Sequence, residues 1–150
     1  MQTTHDVSDT LNHLLEICRD GEEGFQTAAN AIEDPSLKAE LMQYSMQRRD
    51  FETDLVGALG TFGETARERG SVSGAVHRGW INIKAAIAGK NSHAVLAECE
   101  RGEDSAVEAY RDAINSGLPT EVAPLVESQF EQVQRVHDRV KFLRDSFKST

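Results

Sequence analysis

The chain repeats one short pattern, Cys-x-x-Gly-Glu-acid, at residues 18–23 and again at residues 99–104. In both copies the cysteine, the glycine and the first glutamate fall on the apolar stripe of a long helical pattern. Removing an ionised glutamate from water costs several kcal/mol unless a cation or hydrogen-bond donors replace the water. Glu22 and Glu103, the first glutamates of the two copies, are therefore expected to share a partner in one core.

Four long segments carry apolar residues at the 3.6-residue spacing of an amphipathic helix. These segments cover residues 11–32, 37–62, 95–114 and 122–147. Asp34 followed by Pro35 predicts the end of the first helix and the start of the second, because Asp caps helix N-termini and Pro fits the first helical position. The link is so short that these two helices are expected to form an antiparallel hairpin.

Residues 64–70 are polar and charged, which predicts a loop, and residues 71–88 predict a shorter helix between the second and third long helices. This crossover carries the only tryptophan, Trp80, which is expected to plug an end or flank of the core. The pattern predicts an all-α fold, a four-helix bundle with an extra crossover helix. Residues 1–150 are expected to form a single domain, because this length is enough for one core and too short for two.

The charge of the chain argues against several classes of partner. It carries 16 Lys and Arg against 25 Asp and Glu, a net charge of −9, so its field repels nucleic acids and anionic membranes. No apolar run approaches the roughly 18 residues that a membrane span needs, and the N-terminal residues do not resemble a secretory signal. With two cysteines and no disulfide framework, we expect a soluble, reduced, cytoplasmic protein.

Helical spacing places Glu22 inside the stripe of the first helix, and Glu16 and Glu23 on its solvent side. On the second helix, Arg48 lies near the middle of the stripe and Glu52 follows one turn later. Residues four apart on one helix face interact, so a pair between Arg48 and Glu52 is expected.

Four short sequence segments, taken in their order along the chain, form a recognisable set. They read Cys-Arg-Asp-Gly-Glu-Glu-Gly-Phe (18–25), His-Arg-Gly-Trp (77–80), Glu-Cys-Glu-Arg-Gly-Glu-Asp (98–104) and Val-His-Asp-Arg (136–139). They resemble an uncharacterised bacterial family of ferritin-like four-helix-bundle proteins, a domain of unknown function in the ferritin-like superfamily. The resemblance extends over nearly the whole chain. It implies an up-down-down-up bundle, but no settled activity and no particular enzymatic reaction.

Di-metal members of this superfamily use one Glu from each of two helices and a Glu-x-x-His motif from each of the other two. Glu22 and Glu103 match the single glutamates. On the second helix Glu52 matches the carboxylate, but Leu55 stands where the histidine is expected.

On the fourth helix His137 matches the histidine, but Gln134 stands where the glutamate is expected. The resemblance therefore implies a degenerate site for a single metal, formed by Glu22, Glu52, Glu103 and His137, with Gln134 at its edge. Oxygen-rich ligation favours iron or manganese. A protein of this kind would act in metal handling or in protection against redox stress.

The same inward residues fit a second interpretation, in which no metal is bound. Arg48 then supplies the positive charge, and the remaining hydrogen bonds come from Gln129, from Tyr44 or Tyr110, and from protonated His137. In this case the bundle would act by self-association or by binding a partner.

Cys18 and Cys99 are expected to be small buried groups. The alternative is a functional thiol pair, because the repeat would place them at equivalent positions in the two halves of the bundle. A homodimer is expected because such bundles commonly associate through a flank, although no stripe in the sequence identifies the interface.

Overall fold

A computed structural model describes residues 4–69, 80, 82–89 and 91–147, and the long elements among them are all helices. The five helices are α1 (Thr4–Ala31), α2 (Pro35–Thr61), α3 (Ile83–Ala88), α4 (Ser92–Asn115) and α5 (Ala123–Ser146). The described residues contain no strand, so the prediction of an all-α fold is confirmed. None of these helices has both the length and the apolar character that crossing a bilayer requires.

The predicted break between the first two helices is confirmed. Asp34 caps α2, since its Oδ1 accepts hydrogen bonds from the backbone N–H groups of Ser36 and Leu37 at 2.9 and 3.1 Å. Pro35 occupies the first helical position, where a backbone N–H has no partner within the helix. The chain therefore reverses direction within a few residues, and α2 packs back along α1.

The four long helices pack as a bundle. α1 lies against α2 and α4, α4 lies against α5, and a narrow contact joins α2 to α5. Cys18 of α1 contacts Tyr110 of α4, whereas His13, earlier in α1, faces Asp112, later in α4. The contacts occur in opposite order along the two helices, so α1 and α4 run antiparallel.

Two apolar clusters form the core, with a polar level between them. On α1, the first cluster uses side chains within residues 7–18 and the second uses side chains within residues 25–29, together with Ile32 just after the helix. Arg48 of α2 and Glu103 of α4 lie between the positions that these helices contribute to the two clusters, and both are fully buried. The polar level is thus held between apolar layers above and below it.

Trp80 lies between α1 and α4, where two glycines leave room for its ring. A methyl group added at Gly24 or at Gly102 would overlap the indole. The ring also packs edge-on against Phe25, with 5.1 Å between the ring centroids. The expectation that Trp80 plugs a flank of the core is confirmed. The tight contact also explains two glycines in helix interiors, each of which costs about 1 kcal/mol relative to Ala.

The predicted crossover helix over residues 71–88 is described only in its last part. Regular helix is present at Ile83–Ala88, and residues 71–79 and 81 lie outside the described residues. Residues 64–69 lack regular structure, as the predicted loop requires, and residue 70 also lies outside the described part of the chain.

The prediction that Glu16 faces solvent is wrong, because its side chain is fully buried. Glu23 is exposed, as predicted. The loop after α2 covers α1 at this point. Arg19 Nη1 donates to Glu16 at 3.3 Å and to the backbone carbonyl of Arg67 in the loop at 2.9 Å. The loop has no apolar periodicity, so helical spacing alone could not reveal this cover.

Gly102→Ala is expected to lower the free energy of unfolding by about 2 kcal/mol. Overpacking against Trp80 costs up to about 3 kcal/mol, and the better helix propensity of Ala returns about 1 kcal/mol. Denaturant unfolding followed by the fluorescence of Trp80, the only tryptophan, measures the loss. Gly89→Ala is the control, because the nearest atom to its added methyl group is the Ala86 carbonyl oxygen at 3.7 Å. Equal stability of the two variants would contradict the described position of Trp80.

Candidate functional site

A buried ion pair joins α2 to α4 near the middle of the bundle. Arg48 Nη2 donates to Glu103 Oε1 at 2.6 Å, and the two side chains are 1% and 0% exposed. The Arg48 guanidinium lies 5.5 Å from the centroid of the Phe25 ring, within the range of a cation–π contact. Gly21 provides the space, since an added methyl group would lie 3.2 Å from Arg48 Nη1. The glycine of the first repeat therefore accommodates Arg48, as the glycine of the second accommodates Trp80.

Burial and pairing act differently on the two partners. Burial raises the pKa of Glu103, and the adjacent Arg48 guanidinium opposes this rise. Burial lowers the pKa of Arg48, but the charge and hydrogen bond of Glu103 outweigh it, so the pKa is raised and Arg48 stays protonated. Glu103 Oε2 is buried and has no hydrogen-bond partner among the described residues. The pair therefore leaves one carboxylate oxygen unsatisfied.

Glu22 and Glu52 form a separate acidic pair across α1 and α2. Burial, followed by the hydrogen bond and the charge of Glu22, raises the pKa of Glu52 to about 8, while Arg19 and Arg69 oppose the rise. Two carboxyl groups can share a hydrogen bond only if one carries the proton, so Glu52 is protonated at neutral pH. The Glu22 side chain is 29% exposed, and Arg49 Nε lies 3.9 Å from its Oε2.

The predicted pair between Arg48 and Glu52 is wrong. Arg48 donates to Glu103 and to the side chain of Gln47, and Glu52 lies against Glu22. The long Arg48 side chain crosses the bundle to α4, where the carboxylate is fully buried. An opposite charge is worth more there than at the half-buried Glu52, because the surroundings screen it less.

His137 and Gln134 lie on α5, where it packs against α4. His137 Nε2 lies 2.6 Å from Asp104 Oδ1 and Nδ1 lies 3.1 Å from Asp138 Oδ1. Gln134 Nε2 donates to the same Asp138 oxygen at 3.2 Å. Partial burial lowers the pKa of His137, but the hydrogen bonds and charges of the two aspartates outweigh it and the pKa is raised. Its charge also lowers the pKa of Glu103, without a hydrogen bond between them.

The residues predicted to bind a metal are therefore divided among three contacts. Glu22 lies beside Glu52, and Glu103 pairs with Arg48. On α5, His137 and Gln134 contact aspartates. No three His, Cys, Asp or Glu side chains in the described parts of the chain are grouped so that they could hold a metal ion. Asp104, which closes the second repeat, is a partner that sequence reasoning missed, because helix spacing alone does not pair it with a residue of α5.

A hydrogen-bonded chain links three further polar groups beside the ion pair. The Tyr110 hydroxyl lies 3.2 Å from Cys18 Sγ and donates to Gln129 Oε1 at 2.7 Å. Gln129 Nε2 donates to the backbone carbonyl of Phe51 at 3.4 Å. Tyr110 and Gln129 were predicted as donors to the glutamates, and they bond to each other instead. Tyr44, the other predicted tyrosine, donates to Glu40.

The two cysteines are small buried groups, as predicted. Burial raises the pKa of the Cys18 thiol to about 12 and also raises the pKa of Cys99. Both are free thiols. Because the thiolate is the reactive form, neither cysteine has the character of a nucleophile at neutral pH.

Glu52 is expected to make the protein less stable as pH rises from about 5 to about 8. Its pKa rises from an ordinary 4.5 to about 8 on folding, so the folded state keeps a proton that the unfolded state loses in this interval. Glu52→Gln keeps a hydrogen-bond donor without a titrating group and should flatten this part of the profile. Urea unfolding at a series of pH values measures it. Glu127→Gln, on the exposed side of α5, is the control. A slope that survives unchanged in Glu52→Gln would assign the pH dependence to another group.

Comparison with known proteins places the chain in a family. No curated protein matches it. A family model matches residues 6–116, a stretch that runs from α1 to the end of α4 and stops before α5. The matched stretch holds both copies of the repeat and Trp80, whereas the resemblance at residues 136–139 lies beyond it. The chain belongs to the family described as Domain of unknown function (DUF2383).

Proposed function

We propose that this protein is a metal-free ferritin-like bundle, with up-down-down-up topology, that acts through association with other protein surfaces. The observation that carries the proposal is the ion pair of Arg48 and Glu103, at 2.6 Å and removed from solvent. In this proposal Arg48 supplies the positive charge that a metal would otherwise bring to the inward carboxylates. The polar centre then serves to fix how α2 and α4 pack, and the outer helix faces carry the function.

The state of the second acidic pair supports the same conclusion. Glu52, with a pKa of about 8, holds a proton at neutral pH, and a protonated carboxyl group is a poor ligand for a cation. A metal ion near Glu103 would also lie close to the guanidinium of Arg48, which repels it. The charge of Glu52 is thus removed by its proton, and the charge of Glu103 is neutralised by Arg48.

A second candidate function is the binding of iron or manganese by Glu22, Glu52, Glu103 and His137, for metal handling or protection against redox stress. One observation favours it: Oε2 of Glu52 and Oε2 of Glu103 are both buried without a hydrogen-bond partner among the described residues. Such oxygens are costly unless a proton, a water or a cation satisfies them. To bind a metal, Glu52 would have to lose its proton and Arg48 would have to move away.

For the cellular setting we propose the cytoplasm. The free, buried thiols and the net charge of −9 agree with a reducing compartment and with partners that are not polyanions.

Arg48→Ala is expected to lower the free energy of unfolding by about 3–5 kcal/mol, because it leaves the Glu103 charge buried and unpaired. The double variant Arg48→Met/Glu103→Leu removes both charges and keeps their volume, so its stability should return to near that of the wild type. Denaturant unfolding in the presence and absence of a chelator measures both. A double variant as unstable as Arg48→Ala would argue against a purely structural role for the pair.

Metal content distinguishes the two candidates directly. Protein purified without chelator, from cells supplied with iron and manganese, is expected to carry neither metal in stoichiometric amount by mass spectrometry. Glu103→Ala is the matched variant. Stoichiometric metal in the wild type that is lost in this variant would overturn the metal-free proposal and establish the second candidate.

A further inference from the structure

α2 carries apolar and small residues on two faces. Its inner face packs into both core clusters. Its outer face carries a second row at helical spacing, which we call the outer stripe: Ala39, Met46, Thr53, Val56, Gly57 and Gly60. All six are exposed, and Met46 and Val56 are large apolar side chains that are 60% and 44% exposed. A helix that is apolar on both faces is normally covered on both.

The glycines of the outer stripe are unlike the other glycines inside helices. Gly21, Gly24 and Gly102 each face a bulky side chain that an added methyl group would crowd. At Gly57 and Gly60 a methyl group would meet no atom of the described residues within 4 Å. Each still costs about 1 kcal/mol of helix propensity. Within a single copy of the described chain, nothing compensates for this cost.

Charges beside the outer stripe show what kind of surface would cover it. At 3.6 residues per turn, Arg49 lies toward one edge of the stripe, between Gly60 and Val56, and Asp50 and Asp54 lie along the other edge. If two copies of α2 pack in parallel about a twofold axis along the stripe, each edge meets the opposite edge of its partner. Arg49 then faces Asp50 of the second copy, twice by symmetry. An antiparallel pair would bring like edges together, and the aspartates would repel each other.

We propose that the outer stripe of α2 is the interface at which two copies of this chain associate with their α2 helices parallel. The proposal rests on the proposed function, because it assigns the protein–protein contact to a particular face and partner. From Ala39 to Gly60 the stripe extends about 32 Å at 1.5 Å per residue, or three heptads, a length typical of a two-helix seam. The glycines let the two helices approach closely, and Met46 provides the large apolar side chain.

The rest of the described chain leaves this face open. Among the described residues, Arg69 pairs with Glu23 of α1, and the Trp80 ring lies against Gly24 of α1 and Gly102 of α4. The loop at residues 64–69 likewise lies across α1.

Sedimentation velocity over a wide range of concentration tests the interface. The wild type should be dimeric, and Met46→Glu should weaken the dimer by about tenfold or more, because a charge is buried in the seam. Phe142→Glu is the matched control, because Phe142 is 61% exposed on α5 and lies outside the stripe. It should remain dimeric. Circular dichroism must show equal helix content in the three proteins. A monomeric wild type, or equal weakening by both variants, overturns the proposal.

Charge reversal tests the identity and direction of the partner. Arg49→Asp and Asp50→Arg should each weaken self-association, because Arg49→Asp makes both edges acidic and Asp50→Arg places an arginine opposite Arg49 of the second copy. An equimolar mixture of the two variants should recover dimers, since each copy then meets an opposite charge on the other. Failure to recover in the mixture overturns the parallel pairing.

These results are independent of the metal measurement. A metal-free monomer overturns the interface and leaves the metal-free core in place. Stoichiometric metal lost in Glu103→Ala overturns the proposed function even if the stripe forms a dimer.

Discussion

The arrangement of this bundle depends on the burial of one full positive charge. Arg48 is removed from water, and its position is tolerable only because Glu103 lies opposite it at 2.6 Å. Several features follow from that requirement. Gly21 leaves space for the side chain, Phe25 turns its ring face toward the guanidinium, and the apolar core is divided into two clusters. A buried ion pair of this kind adds little net stability, but a wrong register of α2 against α4 would leave two charges unpaired. Its main effect is to favour one packing over others.

The repeated sequence pattern does not produce two equivalent sites. In the first copy the glycine faces an arginine from α2, and in the second copy it faces Trp80 from the crossover. The glutamates differ in the same way: Glu22 is partly exposed beside a second carboxyl group, and Glu103 is fully buried beside a cation. The two cysteines agree in being buried free thiols, but Cys18 lies beside the Tyr110 hydroxyl. The asymmetry arises because α2 and the crossover, which fill the two spaces, have unrelated sequences.

The fold could be predicted from the sequence to a large extent, and the site could be predicted only in part. Apolar periodicity and the Asp34 cap are local signals, and the helices follow them closely. Burial of Glu103 followed from the same periodicity. The partners of the polar groups did not, because they depend on distances between helices. Arg48 reaches across to α4 instead of along its own helix, and Glu16 is buried by a loop that has no periodic pattern. Side-chain length and loop path were the missing information.

The packing of Trp80 between α1 and α4 limits which substitutions such a chain can accept. A larger residue at Gly24 or Gly102 overlaps the indole, and a smaller residue at position 80 leaves a cavity between α1 and α4. Substitutions at these three positions are therefore coupled, because a change at one is tolerated only with a compensating change at another. The packing of Trp80 also joins distant parts of the chain, since it connects the crossover to both α1 and α4. Among relatives, the size of the residue at position 80 should vary inversely with the sizes at the two glycine positions.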